Sequence, residues 1–92
     1  MDYKEIIKKL NMIASKYGEN NINPPFKGFN FVTPEIICQK QFKNGIWYEL
    51  SYGESVNLGH MYGLTFKGID NKNKCCHNFD EIEKTLKEVE NL

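Results

Sequence analysis

The dipeptide Asn44-Gly45 constrains the fold of this chain most, because it separates two stretches of strand-like composition. Asn-Gly between such stretches is the strongest short-range signal for a β-hairpin, since both residues tolerate positive φ angles. The flanking stretches, Ile36–Phe42 and Ile46–Tyr52, contain isoleucine and aromatic residues of the kind that favour pleated strands. We therefore predict an antiparallel hairpin in the middle of the chain.

The register of this hairpin decides which way its side chains point. A two-residue loop would pair Phe42 with Trp47 and would mix apolar and polar side chains on both faces. A three-residue loop, with Gly45 in the left-handed position of a bulge, pairs Phe42 with Ile46 and separates the two faces. The further pairs predicted by this register are Lys40–Tyr48, Cys38–Leu50 and Ile36–Tyr52. One face is then nearly all apolar, and Trp47 lies on the opposite, polar face.

An amphipathic helix is predicted at each end of the chain. Apolar residues recur at helical spacing from Asp2 to Tyr17, with Asp2 as the N-cap and Gly18 as a left-handed residue after the helix. Near the other end, Asn78 is placed to cap a second helix, with Glu81 three residues further on. The apolar residues of that second helix are Phe79, Ile82, Leu86 and Val89.

Two more strands complete the predicted sheet. The stretch His60–Lys67 alternates as a half-buried strand does, and Lys74–His77 is a short edge strand, with Gly53–Gly59 as a connector before them. We predict an α+β fold for residues 1–92 as a single globular domain: an antiparallel β-meander of three to four strands, with the N-terminal and C-terminal helices packed on one face. The predicted core face carries Ile36, Phe42, Ile46, Tyr48, Leu50, Leu64 and Phe66.

A long connection from Glu19 to Pro34 lacks periodicity and contains three prolines. Its residues Phe26, Phe29 and Phe31 are too apolar for a solvated linker, so we expect some of them to pack on the core. A loop that closes one end of the core and an aromatic recognition loop are both consistent with this composition.

The charge composition argues against nucleic acid and membrane partners. Twelve basic residues balance twelve acidic ones, and every basic residue is lysine. Without arginine the chain lacks the planar fork that reads guanine and clamps phosphates, and its net charge of zero provides no attraction to anionic surfaces. The sequence has no signal-peptide pattern and no apolar run of spanning length. We expect a cytoplasmic protein.

Chemistry-bearing residues are few, and their spacing matches no known type of site. Cys75, Cys76 and His77 are consecutive, with Cys38 and His60 elsewhere, whereas zinc ligands come in Cys-x2-4-Cys pairs. No thiol and imidazole are selected as a catalytic pair. We therefore predict no enzyme activity, no cofactor, no metal and no catalytic residue, and we read 74–77 as a strand with one buried and one exposed thiol. A redox or metal module is the second alternative.

Trp47 is the leading candidate for a binding residue. An indole on a polar sheet face buries a large area on contact, and Gln39, Gln41 and Glu49 around it would form a polar rim. Phe26 and Phe29 of the preceding loop would extend the surface. The competing interpretation is that this loop folds over Trp47 as a second small core. We predict a non-enzymatic module that binds a protein partner, with a small nucleic-acid-associated regulator as the alternative.

The order of a capped helix, an aromatic meander from WYELSYG to YGLTF and a closing FDEIEKTL helix resembles small phage and mobile-element accessory proteins. These include anti-CRISPR and other anti-defence inhibitors. The resemblance implies a protein that binds and blocks a larger host defence protein, and it assigns a role to no individual residue.

Overall fold

The computed structural model describes residues 2–26, 35–55 and 59–92. In this part of the chain two helices flank a four-stranded antiparallel sheet whose spatial order follows the chain order. The elements are α1 (Tyr3–Ala14), β1 (Glu35–Gln41), β2 (Trp47–Ser55), β3 (Gly59–Lys67), β4 (Lys74–Cys76) and α2 (Phe79–Glu90). The predicted α+β fold with a four-stranded meander is confirmed.

The core lies on one face of the sheet, between the strands and both helices. Leu10 of α1 and Leu86 of α2 are fully buried in the same cluster as Tyr48 and Leu50 of β2. Both helices therefore pack on one face, as the alternation of apolar residues predicted. The other buried strand residues in the cluster are Tyr52, Tyr62, Leu64, Phe66 and Cys76.

The two helices lie side by side and point the same way. The Lys9 ammonium lies 5.6 Å from the centre of the Phe79 ring, and Lys16 forms a 2.8 Å ion pair with Glu83. Lys16 comes after Lys9 in the sequence, and its partner Glu83 comes after Phe79, so the two segments run in the same direction. Along the sheet, α1 contacts β1 and α2 contacts β4. Together the helices cover the apolar face from one edge to the other.

Helix α1 begins as predicted but ends earlier. The Asp2 carboxylate accepts a hydrogen bond from the Glu5 amide at 2.9 Å, which confirms the N-cap. The helix ends at Ala14, not at Tyr17, and residues 15–17 form a turn. Gly18 then takes the predicted positive φ of +74°. Side chains of the sheet donate hydrogen bonds to the Ala14 and Tyr17 carbonyls at this end of the helix.

The hairpin has the predicted three-residue loop. The Phe42 amide donates to the Ile46 carbonyl at 2.9 Å, and Gly45 has a φ of +91°. The pairs Lys40–Tyr48 and Cys38–Leu50 are also as predicted. Trp47 lies opposite Gln41, so the register that places it away from the core is confirmed.

The predicted pair Ile36–Tyr52 is wrong, because β1 contains a bulge between Ile36 and Cys38. The extra residue shifts the register, so Ile36 lies opposite Ser51 and is 46% exposed. Ile37 packs against the core instead. Adjacent strand residues point to opposite faces, so only one of these isoleucines can be buried, and the bulge selects Ile37.

Three element boundaries also differ from the prediction. Strand β2 continues to Ser55 and β3 begins at Gly59, so most of the predicted connector belongs to the strands. Strand β4 ends at Cys76.

Within β4 Cys75 is exposed and Cys76 is buried, which confirms the prediction of one buried and one exposed thiol. The predictions for Phe29 and Phe31 lie outside the described residues, and Phe26 is half-buried.

The hairpin loop is fixed to the end of α2 by Asn44. The Asn44 side-chain oxygen accepts from the Ile46 amide at 3.0 Å, and its Nδ2 donates to the Val89 carbonyl at 2.9 Å. The last carbonyls of a helix lack partners within the helix. Asn44 therefore both shapes the turn and binds a carbonyl at the end of a helix, 45 residues further along the sequence.

We expect Leu10→Ala and Leu86→Ala each to lower the free energy of unfolding by about 2–5 kcal/mol, because both side chains are fully buried. Met12→Ala in α1 is the matched control, since Met12 is 58% exposed, and it should change the stability little. Urea denaturation measures all three. A leucine variant that unfolds at the wild-type urea concentration would show that its helix is not packed on the sheet.

We expect Asn44→Asp to lower the stability by roughly 1–2 kcal/mol, because aspartate keeps the acceptor but loses the donor to Val89. It also places a negative charge at the negative end of α2. Asn73→Asp is the control, because Asn73 uses its side-chain oxygen to accept from the Phe66 amide at 2.8 Å, and aspartate keeps that acceptor. Equal stability of the two variants in urea would contradict the capping role.

Candidate protein-docking surface

The face of the sheet opposite the two helices carries Trp47, and we call it the outer face. Trp47 on β2 lies between Gln41 on β1 and Lys67 on β3. The next outward residue of β2, Glu49, lies between Gln39 and Thr65. The register thus brings four of the six predicted binding residues together on two neighbouring strands: Gln39, Gln41, Trp47 and Glu49.

Trp47 is half-buried and lies outside the core cluster. The other aromatic residues of β2 and β3, by contrast, are at most 5% exposed, and all of them belong to the core. These buried residues are Tyr48, Tyr52, Tyr62 and Phe66. Trp47 is therefore the one aromatic side chain of these strands that retains accessible surface without serving the core.

Glu49 is less accessible than predicted for a polar rim residue, because it is only 4% exposed. Its carboxylate accepts a short hydrogen bond of 2.6 Å from the Gln39 side-chain amide. Among the described residues no lysine lies within ion-pair distance of it, and the one ion pair there joins Lys16 to Glu83. Gln39 and Glu49 thus form a hydrogen-bonded polar pair on the outer face, in which the Glu49 side chain is almost inaccessible to solvent.

Beyond this pair, small residues of β2 and β3 lie opposite each other. Ser51 lies opposite Gly63, and its hydroxyl donates to the Gly63 carbonyl at 3.5 Å. A Cβ atom at position 63 would lie 2.6 Å from the Ser51 oxygen, so any larger residue there would force the Ser51 hydroxyl to move. Gly53 follows on the same side of β2. Ser51, Gly53 and Gly63 are half-buried, and Ile36, opposite Ser51, is an exposed apolar residue.

Gln41 connects this face to the loop that follows α1. Its backbone forms two hydrogen bonds with Glu19, at 2.8 and 2.9 Å, so Glu19 pairs with the free edge of β1. Its side-chain oxygen accepts from Asn21 at 2.7 Å, and its Nε2 donates to the Gly45 carbonyl at 3.0 Å. The loop residues beyond Glu19 are therefore held against the strand edge beside Trp47.

Ile22, the residue after Asn21, is a candidate that the sequence prediction missed. It is 87% exposed, more than any other large apolar side chain among the described residues. The signal in the sequence was a single isoleucine within the polar stretch NNINPP. That signal has no meaning until the structure shows that the loop is anchored and the side chain projects outward.

The remaining predicted binding residues add less. Phe26 is half-buried at the end of the first described stretch, and Phe29 lies outside the described residues.

A cleft of about 430 Å³ is lined by residues that include Gln41, Phe42 and Gly18. Its charged lining, Lys16 and Lys43 with Glu19 and Glu90, has balanced signs. This balance selects neither an anion nor a cation.

The thiols are poorly placed for nucleophilic chemistry. Burial raises the pKa of Cys38 and of Cys76 above the usual value, which keeps both protonated at neutral pH. Cys75 is exposed, opposite Gly63 on the outer side of the sheet. Within the described ranges no group of three His, Cys, Asp or Glu side chains converges in a way that could hold a metal ion.

Comparisons with known protein families, curated proteins and solved structures found no match to this chain. Across residues 2–26, 35–55 and 59–92, neither helix is long and apolar enough to cross a membrane.

We expect Trp47→Ala to lower the stability by less than about 2 kcal/mol, because a half-buried side chain outside the core loses little packing when truncated. Leu50→Ala is the matched comparison, because Leu50 lies on the same strand but is fully buried in the core. This variant should lose about 2–5 kcal/mol of stability. Urea denaturation measures both. A loss of 3–5 kcal/mol for Trp47→Ala would identify Trp47 as part of a second core.

Proposed function

We propose that this protein is a non-enzymatic module that docks on a larger protein through the outer face of its sheet. One observation carries the proposal: the chain's only tryptophan lies half-buried, outside the core cluster, on the face of the sheet opposite the helices. Tryptophan buries much apolar area for few lost rotamers and is enriched where binding energy concentrates. Because Trp47 lies outside the core cluster, its side chain contributes more to the free energy of binding, when a partner covers it, than to the stability of the free protein.

The charges around Trp47 favour a protein partner over a nucleic acid. Lys67 is the lysine directly across from Trp47, while the next residue of β2 on the outer face is the acidic Glu49. Nucleic-acid-binding sheets combine stacking aromatics with a positively charged groove. Among the described residues paired with Trp47 and Glu49 on neighbouring strands, Lys67 is the one cation, and the chain has no net charge and no arginine.

The finer proposal is that the docking inhibits a host defence protein, as in the mobile-element inhibitors that the chain resembles. The size of the chain supports a blocking role, because 92 residues with one core can cover a partner's site without a catalytic cleft of their own. In this proposal the outer face occupies a surface that the host protein needs.

The proposal predicts that Trp47→Ala abolishes capture of a partner from a lysate of the source cell. The captured protein is then purified, and its affinity for the wild type and for Trp47→Ala is measured by calorimetry. We expect the variant to bind at least about 30-fold more weakly, equivalent to a loss of about 2 kcal/mol or more. Met12→Ala, which changes an exposed residue on a helix, is the control and should bind as the wild type does.

Salt dependence separates the two classes of partner. An interface centred on an indole should lose little affinity between low and high salt, whereas phosphate contacts would make the affinity fall steeply. If Trp47→Ala binds the partner with wild-type affinity, the proposal that the outer face is the docking surface is wrong. Recovery of nucleic acid with a steep salt dependence would replace the proposal by the nucleic-acid alternative.

A further inference from the structure

We infer that Asn44-Gly45 is a covalent modification site, where the Gly45 backbone nitrogen displaces the side-chain amide of Asn44 once α2 releases that amide. No other asparagine of the chain is followed by glycine. Because glycine has no Cβ atom to shield its backbone nitrogen, this dipeptide is the one at which the attack is least hindered. Both residues are exposed, so water reaches them. The site is independent of the docking function.

The modification is a deamidation in two steps. The Gly45 nitrogen forms a bond to Asn44 Cγ and passes its proton through water to Nδ2. The bond between Cγ and Nδ2 then breaks, and ammonia leaves behind a five-membered succinimide ring. Water opens this ring at either carbonyl and gives an aspartate or an isoaspartate, whose carboxyl group releases a proton at neutral pH. The chain supplies the nucleophile, and water is the only co-reactant.

The folded chain holds both reacting groups in hydrogen bonds. The Gly45 amide donates to the Phe42 carbonyl at 3.0 Å, so its proton is protected from exchange with solvent. Asn44 Nδ2 donates to the Val89 carbonyl at 2.9 Å, and two further carbonyls among the last three residues lie 3.4 and 3.5 Å from it. These bonds stabilise the planar amide, whereas the attack makes Cγ tetrahedral. The end of α2 therefore slows the reaction while it is bound.

The end of α2 opens more easily than the core. Val89 is the last buried residue of this helix, and residues 90–92 are exposed. Helix ends fray, and a local opening costs less free energy than global unfolding. The end of α2 can therefore leave the hairpin loop while the sheet stays folded, and this local opening sets the rate of deamidation.

The product cannot bind the end of α2 again. A carboxylate accepts hydrogen bonds but donates none, and at position 44 it would face the Val89 carbonyl oxygen at the negative end of the helix. Isoaspartate also adds a backbone atom to the loop that the Phe42 amide and the Ile46 carbonyl close at 2.9 Å. Each modified molecule stays open here, so the site acts as a one-way timer on the contact between the hairpin and α2.

Mass spectrometry locates the modification. The full chain is incubated at neutral pH, both folded and in guanidinium chloride, and is then digested with pepsin at acid pH, where backbone amides keep their protons. We expect the mass gain of an amide-to-carboxyl change to appear first at Asn44, and to appear roughly tenfold or more faster in the unfolded chain. Equal rates in the two states, or an Asn44 that stays intact in the folded chain, would overturn the inference.

A pair of variants distinguishes local opening from global unfolding. Val89→Ala loosens the end of α2, and the control is whichever of Ile6→Val and Ile6→Ala matches its stability in urea, since Ile6 is buried on α1. We expect Val89→Ala to deamidate at Asn44 roughly threefold or more faster than this control. Equal rates would show that the end of α2 does not control the reaction.

The modified protein carries one more negative charge, so ion exchange separates it from the unmodified chain. We expect it to unfold at a lower urea concentration, and its Leu92 amide, which donates to the Val89 carbonyl at 3.2 Å, to exchange its hydrogen faster. A modified protein with wild-type stability and wild-type exchange at Leu92 would show that α2 remains bound, and the one-way timer would be wrong.

Discussion

The contacts that close the C-terminal end of α1 determine the arrangement of the rest of the molecule. The last turn of this helix contains no basic residue of its own that could bind its free carbonyls. Two strand residues supply the donors: the Lys40 ammonium donates to the Ala14 carbonyl at 2.8 Å, and the Tyr48 hydroxyl donates to Tyr17 at 2.7 Å. Burial raises the pKa of Tyr48, so its hydroxyl remains a donor at ordinary pH.

These two hydrogen bonds hold the C-terminal end of the first helical segment against the hairpin strands β1 and β2. Gly18 turns the chain immediately after them, and a Cβ atom there would lie 3.1 Å from both Lys40 and Tyr48. Glu19 can then pair with Gln41, which brings the loop of Ile22 to the edge of β1. The loop beside the docking surface therefore depends on a buried hydroxyl on the opposite face of the sheet.

The two faces of the sheet consequently have separate roles. The inner face holds the core, and Leu10, Leu50 and Leu86 carry its stability. The outer face holds a polar pair, small residues and a half-buried indole, none of which belongs to the core cluster. A protein with this division can accept changes on the outer face without unfolding, and it can present Trp47 to a partner on a rigid support.

The sequence was sufficient for those parts of the fold that depend on local pattern. The phase of the apolar residues required a three-residue loop, and both helix N-caps follow from Asp2 and Asn78. The bulge at Ile37 was beyond such reasoning, because two adjacent isoleucines satisfy either register equally well. The choice between them depends on packing against the helices.

The candidate site was predicted in part, for the same reason. The hairpin register brought Trp47, Gln39 and Gln41 to one face, since alternation is a local property. The burial of Glu49 and the exposure of Ile22 depend on contacts between distant segments. So does the bond from Asn44 to Val89, which no pattern in the hairpin indicates.

Cross-saturation NMR of the complex tests the division between the two faces most directly. In this measurement the perdeuterated protein binds its protonated partner, and the amides at the interface lose intensity when the partner is irradiated. The proposed arrangement predicts the largest losses at the Trp47 indole and at the amides of Gln39 and Gln41, with none along α2. Losses concentrated on the exposed sides of α1 and α2, with the Trp47 indole unaffected, would contradict it.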